Sequence, residues 1–166
     1  MYNELTKIDI EKMQQEIDYR MGVLRPKILE EVKFARSHGD LSENAEYHAA
    51  KRERGKNESR IRFLKNMIKT AVIVEDNSAS DEVGLFDTVT FYIEDDDIEE
   101  TVRIATTMRQ DALYNIVSKE SPIGKALFGK KIGERVFVDL KDDGYYVVIR
   151  KIEKGSDDES LQIRAY

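Results

Sequence analysis

The 166-residue chain has no cysteine and no tryptophan. Without thiols, disulfides, thiol nucleophiles and cysteine metal sites are excluded. Long apolar runs are missing too. The longest are AVIV and YYVVI, far short of the roughly 20 residues a membrane helix needs. The opening MYNELTKIDIEKM has no apolar signal core. The chain is therefore expected to be soluble and cytoplasmic, with no membrane partner. Histidine is scarce: only His38 and His48 occur, and no Ser–His–Asp or phosphate-loop pattern accompanies them. Only two prolines occur, Pro26 and Pro122, and both sit where they inform a helix reading.

Charge is abundant. Asp, Glu, Lys and Arg make up 36% of residues, against about 25% for an average soluble domain. The apolar 40% can bury a modest core. The net charge of −6 divides unevenly, with residues 1–74 at +3 and residues 75–166 at −9. General nucleic-acid binders are usually basic throughout. A positive arm on a negative body instead allows local nucleic-acid contact through the arm and a different partner for the body.

Ile10, Met13, Ile17, Met21, Leu24, Ile28, Val32 and Ala35 recur every three or four residues. That spacing predicts one helix with a single apolar stripe, bent or loosened at Pro26. A second helix is expected from about Ser42 to Ala71, its seam running through Tyr47, Ala50, Arg54, Asn57, Ile61, Leu64 and Ile68. The helical period breaks between them near Gly39, which predicts an antiparallel coiled-coil hairpin over residues 1–75. Each arm is about 28 residues, or roughly 40 Å at 1.5 Å per residue. Such a pair cannot bury a globular core, so it is expected to extend from a larger body.

From residue 76 the pattern changes. TVTFYI, ETVRIAT, ALYNIVS, RVFVDL and YYVVIRKI are β-branched and aromatic runs separated by Asp- and Gly-rich turns. KDDG marks a hairpin turn. SPIGKALFG predicts one short helix capped by Ser121, with Pro122 in its first turn and Gly129 ending it. Residues 76–166 are thus a small antiparallel sheet domain with one short helix, making the chain α+β. Residues 155–166, GSDDESLQIRAY, are expected to be a flexible tail.

Asp40 and Glu43 stand three apart at the bend. Two readings compete for their oxygens. DLSE can be a capping box that opens the second helix, or both carboxylates can face outward toward a divalent cation. Mg²⁺ takes about six oxygens, so two carboxylates are at most part of a site. A basic run follows the bend. On a helical wheel Lys51, Arg52, Lys56, Arg60 and Arg62 fall mostly away from the seam. That face is either ordinary solvated charge or, with Arg36, a guide for a phosphate backbone. Tyr47 either flanks the seam or stacks on a base.

GDLSENAEYHAAK (39–51) closely resembles the tip of the Gre transcript-cleavage factors of bacterial RNA polymerase, of the GreA type. SPIGKALFGKKIGERVFV (121–138) is similar to the family's second signature. MRQDALYNIVSKE (108–120) lacks the acidic, glycine-rich loop of the family. The resemblance implies an antiparallel coiled coil followed by an FKBP-like domain. It implies a partner, bacterial RNA polymerase, whose secondary channel the coiled coil enters. Asp40 and Glu43 match the tip acids that help hold a second Mg²⁺, which the polymerase shares. That ion activates water to cut the nascent RNA 3′ end of a backtracked complex. Arg36, Lys51, Arg52 and Lys56 are then RNA-contacting, and Ser121, Pro122 and Ile123 polymerase-binding. On this reading the chain is a monomer when free and stimulates an activity that belongs to the polymerase. The alternatives are a channel-binding regulator that inhibits without cleavage, and a free-standing prolyl isomerase or metal nuclease.

Overall fold

The computed structural model describes residues 3–39 and 43–165. The chain divides into two compact units, Ile10–Thr70 and the remainder, in which Met1–Asp9 join Ala71–Ala165. The division departs from a single cut near residue 75. Strand β1 (Glu4–Leu5) pairs in parallel with β2 (Val72–Ile73), which ties the start of the chain to the sheet unit. No helix among the described residues is long and apolar enough to cross a membrane.

The first stripe becomes two α-helices, α1 (Lys7–Tyr19) and α2 (Arg25–Arg36), joined by a π-helical turn over Arg20–Leu24. The cause is local. Pro26 has no N–H to give and its ring crowds the carbonyl four residues back. The preceding turn widens instead, and the Arg25 N–H bonds to the Arg20 carbonyl. A wide turn shifts the phase of the helix. Met13, Ile17, Ile28, Val32 and Ala35 are buried as the stripe requires, but Met21 is exposed. Arg20 takes its place beside the second helix, α3 (Ala45–Thr70), donating to the Asn57 side chain at 3.0 Å.

The seam of the hairpin is apolar at both ends and ionic in the middle. Met13, Ile17, Ile61 and Leu64 are buried toward the base, and Ile28, Val32 and Ala50 cluster nearer the bend. Between them Arg60 forks onto Glu16 at 2.8 and 3.1 Å, and Arg25 forks onto Glu58 at 2.7 and 2.9 Å. Two wheel assignments are corrected here. Arg60 is not on the outward basic face but buried, because its long stem reaches back across the seam to Glu16. Arg54, placed on the seam, is exposed.

Burial alone would raise the Glu16 carboxyl. Hydrogen bonds and charge from Arg60 and Arg20 outweigh it and hold the group below its ordinary value of 4.5. A carboxyl depressed in the folded state contributes stability above its unfolded value and loses it as pH falls through the folded one. The helical signal of the full chain is therefore expected to melt at lower temperature as pH drops below 4.5. Glu16→Gln should reduce that slope in circular-dichroism melts, and an unchanged slope contradicts the pairing.

In the other unit a five-stranded sheet runs β5-β4-β3-β7-β6, with β3 Thr88–Ile93, β4 Ile98–Ala105, β5 Ile116–Ser118, β6 Arg135–Asp139 and β7 Gly144–Glu153. TVTFYI alternates half-buried and buried, as its pattern predicts. Helix α4 (Pro122–Leu127) supplies Leu127 to a core built from Val89, Phe91, Ile104, Val138 and Ile149. KDDG joins β6 to β7 as a hairpin. The sheet is not wholly antiparallel. Strand β5 runs parallel to β4, reached through two short 3-10 turns, Thr107–Arg109 and Ala112–Tyr114.

Residues of the tail make contacts with the sheet unit. Leu161 packs against the cluster of Leu85, Phe86, Ala105 and Ile116, and the Arg164 N–H bonds to the Met108 carbonyl at 2.7 Å. Asp157 binds Arg109, which is 0% exposed, at 2.8 Å. Arg109 also lies 2.6 Å from Asp9, likewise 0% exposed, in a charge contact rather than an aligned hydrogen bond. Asp9 closes a capping box at the start of α1: the Thr6 hydroxyl accepts from the Asp9 N–H at 3.2 Å, and the Asp9 carboxylate accepts from the Thr6 N–H at 2.9 Å. Thr106 donates to the same carboxylate at 2.8 Å.

Candidate functional site

The bend of the hairpin begins where α2 stops. The Ser37 N–H bonds back to Lys33 and the His38 N–H to Ala35. Gly39 follows at φ +100°, a left-handed conformation that a side chain would strain. Residues 40–42 are not among those described, so Asp40 lies outside them. Chain description resumes at Glu43.

The helix start decides one of the two readings of DLSE. Helix α3 begins at Ala45, and the Asn44 side chain accepts from the Tyr47 N–H at 3.0 Å. Asn44 is therefore the N-cap, and Glu43 precedes the helix instead of filling its third position. The Asn44 amide also donates to the Ala35 carbonyl at 2.6 Å, tying the two arms together at the bend. Glu43 is exposed. With the cap supplied by Asn44, the Glu43 carboxylate is left to face solvent. The sequence does contain this cap: SENAEY offers Asn44 as well as Asp40.

The bend has two chemically distinct flanks. On one, the Arg36 guanidinium lies 5.6 Å from the centre of the Tyr47 ring. Hydrogen bonding from Arg36, with the charges of Lys51 and Arg54, draws the Tyr47 phenol below its ordinary value of 10.0. Tyr47 also packs on the Ile28, Val32 and Ala50 cluster, so it serves the seam while Arg36 lies over its ring. Lys51, Arg52 and Lys56 are all exposed, and Lys56 pairs loosely with Glu53 at 3.3 Å. On the other flank Phe34 stands exposed with His38 packed edge-to-face at 4.5 Å. Glu43 shares a depression with Phe34 and His38. His48 meets Tyr47 ring to ring at 5.5 Å.

Among the described residues no group of three acidic or histidine side chains could hold a metal ion. Mg²⁺ takes hard-oxygen ligands such as an exposed carboxylate. Glu43 is one.

In the sheet unit the SPIG segment is built around its turn. The Ser121 hydroxyl accepts from the Gly124 N–H at 3.1 Å and donates to the Ser118 carbonyl at 2.7 Å. Pro122 is exposed at the first turn of α4, and Ile123 packs against the core. A side chain at Gly124 would meet the Ser118 carbonyl oxygen at 2.1 Å, so only glycine fits. Of the three residues expected to meet the polymerase, Pro122 alone is exposed; Ser121 and Ile123 also hold the helix in place.

Both halves of the chain match one family. Residues 3–73 match "Transcription elongation factor, N-terminal", and residues 77–154 match "Transcription elongation factor, GreA/GreB, C-term". The chain belongs to the GreA/GreB family of transcription elongation factors. Similar members include the transcription elongation factor GreA of Bacillus subtilis strain 168, 43% identical over 86% of this chain and 90% of that protein. The GreA of Streptococcus pneumoniae serotype 4 is 42% identical over 90% and 94%. Among solved structures, the transcription factor Gfh1 aligns over 91% of this chain and 97% of its own, at 22% identity and a TM-score of 0.44. The family match ends at residue 154, so the docked tail of this GreA/GreB protein lies beyond it.

Proposed function

We propose that this chain enters the secondary channel of bacterial RNA polymerase and stimulates cleavage of the nascent RNA 3′ end in backtracked complexes. The observation that carries the reading is Glu43. It is an exposed carboxylate at the bend of a helical hairpin, released from capping by Asn44. Its sequence neighbour Asp40, in GDLSEN, supplies a second. Family membership and relatives named transcription elongation factor GreA support the setting.

Asp40 and Glu43 would hold part of a Mg²⁺ site, with the polymerase and the RNA phosphates completing it. An ion held there would supply Lewis-acid chemistry for the activation of water and the stabilisation of the leaving oxygen. The chain's own residues do the rest by position. Arg36, Lys51, Arg52 and Lys56 bind phosphates of the extruded RNA through charge. Tyr47, beneath Arg36, keeps that charge at the bend. Pro122, presented by Ser121 and Ile123, meets the polymerase rim. The reactive centre belongs to the polymerase, so the chain acts as a monomeric, cytoplasmic stimulator and is not itself the enzyme.

The test is incubation with a stalled bacterial elongation complex and Mg²⁺. RNA that shortens from its 3′ end and re-extends with nucleotides supports the reading, and unchanged RNA overturns it. Arg52→Ala with Lys56→Ala is expected to weaken crosslinking to long extruded RNA and to lower its log–log salt slope by about 1.4, roughly 0.7 per cation removed from a single strand. A crosslink yield and salt slope equal to wild type contradict the RNA-guiding role.

A further inference from the structure

The flank opposite Tyr47 holds a groove of about 630 Å³ between α2 and α3. Its floor is small and apolar: Ala35, Ala49 and Ala50. Phe34 stands at its edge, 64% exposed even with His38 against it. Around it lie Glu30, Glu31, Glu46 and Glu53, against the one lining cation Lys27. Glu53 is offset by Lys56 at 3.3 Å, while Glu30, Glu31 and Glu46 form no ion pair with a described residue.

Phe34 presents its ring beside an acidic rim and an alanine floor. Its setting selects the occupant. Four carboxylates repel a phosphate backbone, so RNA is disfavoured on this flank, and the cations of Arg36, Lys51 and Arg54 serve it on the other. A second copy of this chain, at net −6, brings more of the same sign. An arginine or lysine side chain satisfies both features at once. Its cation stacks on an aromatic face and pairs with carboxylates while its stem lies on alanine.

We propose that this groove receives an arginine- or lysine-bearing segment of the polymerase's own protein wall. The inference rests on the reading that the hairpin enters the polymerase. Away from the bend the hairpin is then two-sided: its basic flank faces RNA, and the acidic groove beside Phe34 faces protein. The groove sets how tightly the hairpin is held, while Asp40 and Glu43 govern the chemistry.

Two measurements on the full chain with a stalled elongation complex test it. The photocrosslinker benzoylphenylalanine, placed at position 34, is expected to label a polymerase subunit at a peptide that carries Arg or Lys, with less label at high salt. The triple variant Phe34→Ala, Glu31→Gln, Glu46→Gln is expected to raise the half-saturating concentration for RNA shortening about tenfold and leave the saturating rate unchanged. All three side chains are exposed, and a wild-type circular-dichroism melt confirms that the variant folds. Labelling of RNA, of a second copy or of a peptide without a cation overturns the proposal, as does an unchanged half-saturation. If wild type binds the complex but leaves RNA uncut, the cleavage reading fails and the crosslink still decides the groove. Absence of binding overturns both.

Discussion

Arg109→Met is expected to remove about 3–5 kcal/mol of stability from the sheet unit, the cost of breaking a buried ion pair from one side. Methionine fills much of the space of the arginine stem, so a cavity is not the main loss. The loss is electrostatic. Arg109 stands between Asp9 and Asp157, and both Arg109 and Asp9 are fully buried. Without the guanidinium, the Asp9 carboxylate keeps, among the described residues, the Thr6 N–H and the Thr106 hydroxyl. A buried charge with two neutral donors is far from compensated. Urea unfolding of the variant reads the loss directly. Adding Asp9→Asn to Arg109→Met should recover part of it, because the stranded charge is then gone. A loss below about 1 kcal/mol, the range of exposed pairs, contradicts a structural role for the cluster.

The second large effect concerns activity. Asp40→Asn and Glu43→Gln are each expected to reduce stimulated RNA cleavage by at least about a hundredfold, since even outer-shell partners of a metal cost ten- to a hundredfold when removed. Both substitutions keep size and shape, while they delete the charge and replace one acceptor oxygen by an amide donor, both of which weaken a ligand for a hard cation. Binding to the polymerase should change little. Glu43 makes no cap contact to α3, so Glu43→Gln should also leave the melting temperature unchanged. That separates the metal role from the capping role: a capping residue would lower stability first and activity only as a consequence. Gel-shift binding, thermal melts and single-turnover cleavage of the same preparations give the three readouts. A Glu43→Gln protein that cleaves at the wild-type rate contradicts the assignment.

Much of this was legible in the sequence. The hairpin follows from apolar spacing of three and four residues between Ile10 and Ala35, and the strands from alternation such as TVTFYI. The Ser121 cap and the KDDG turn follow from local side-chain chemistry. What escaped was non-local or a matter of one residue. The π-helical turn before Pro26 shifts the phase enough to exchange Met21 for Arg20, which a straight wheel cannot register. Arg60 falls with the outward basic residues on a wheel, and only the length of its side chain and the position of Glu16 across the gap bring it inside. The parallel β5 and the docked tail depend on partners far along the chain: Arg109 meets Asp9 and Asp157, 100 residues one way and 48 the other. At the bend, DLSE and NAEY both offered a cap. The structure selects Asn44, so Glu43 precedes the helix and does not fill its third position.

The pattern has a functional sense. Elements that only need to hold their place are specified locally and redundantly. The carboxylate at the bend is left unspent because a neighbouring asparagine takes over the backbone duty. The hairpin carries an exposed carboxylate at its bend, a cationic flank and an acidic flank.

The most direct measurement is the Mg²⁺ dependence of RNA cleavage in a stalled elongation complex, with and without this protein. Wild-type protein should lower the Mg²⁺ concentration for half-maximal cleavage, and the Asp40→Asn, Glu43→Gln double variant, still bound to the complex, should return it to the value without protein. A Mg²⁺ dependence that is identical with wild type, with the variant and with no protein at all would mean that the hairpin contributes nothing to the metal centre.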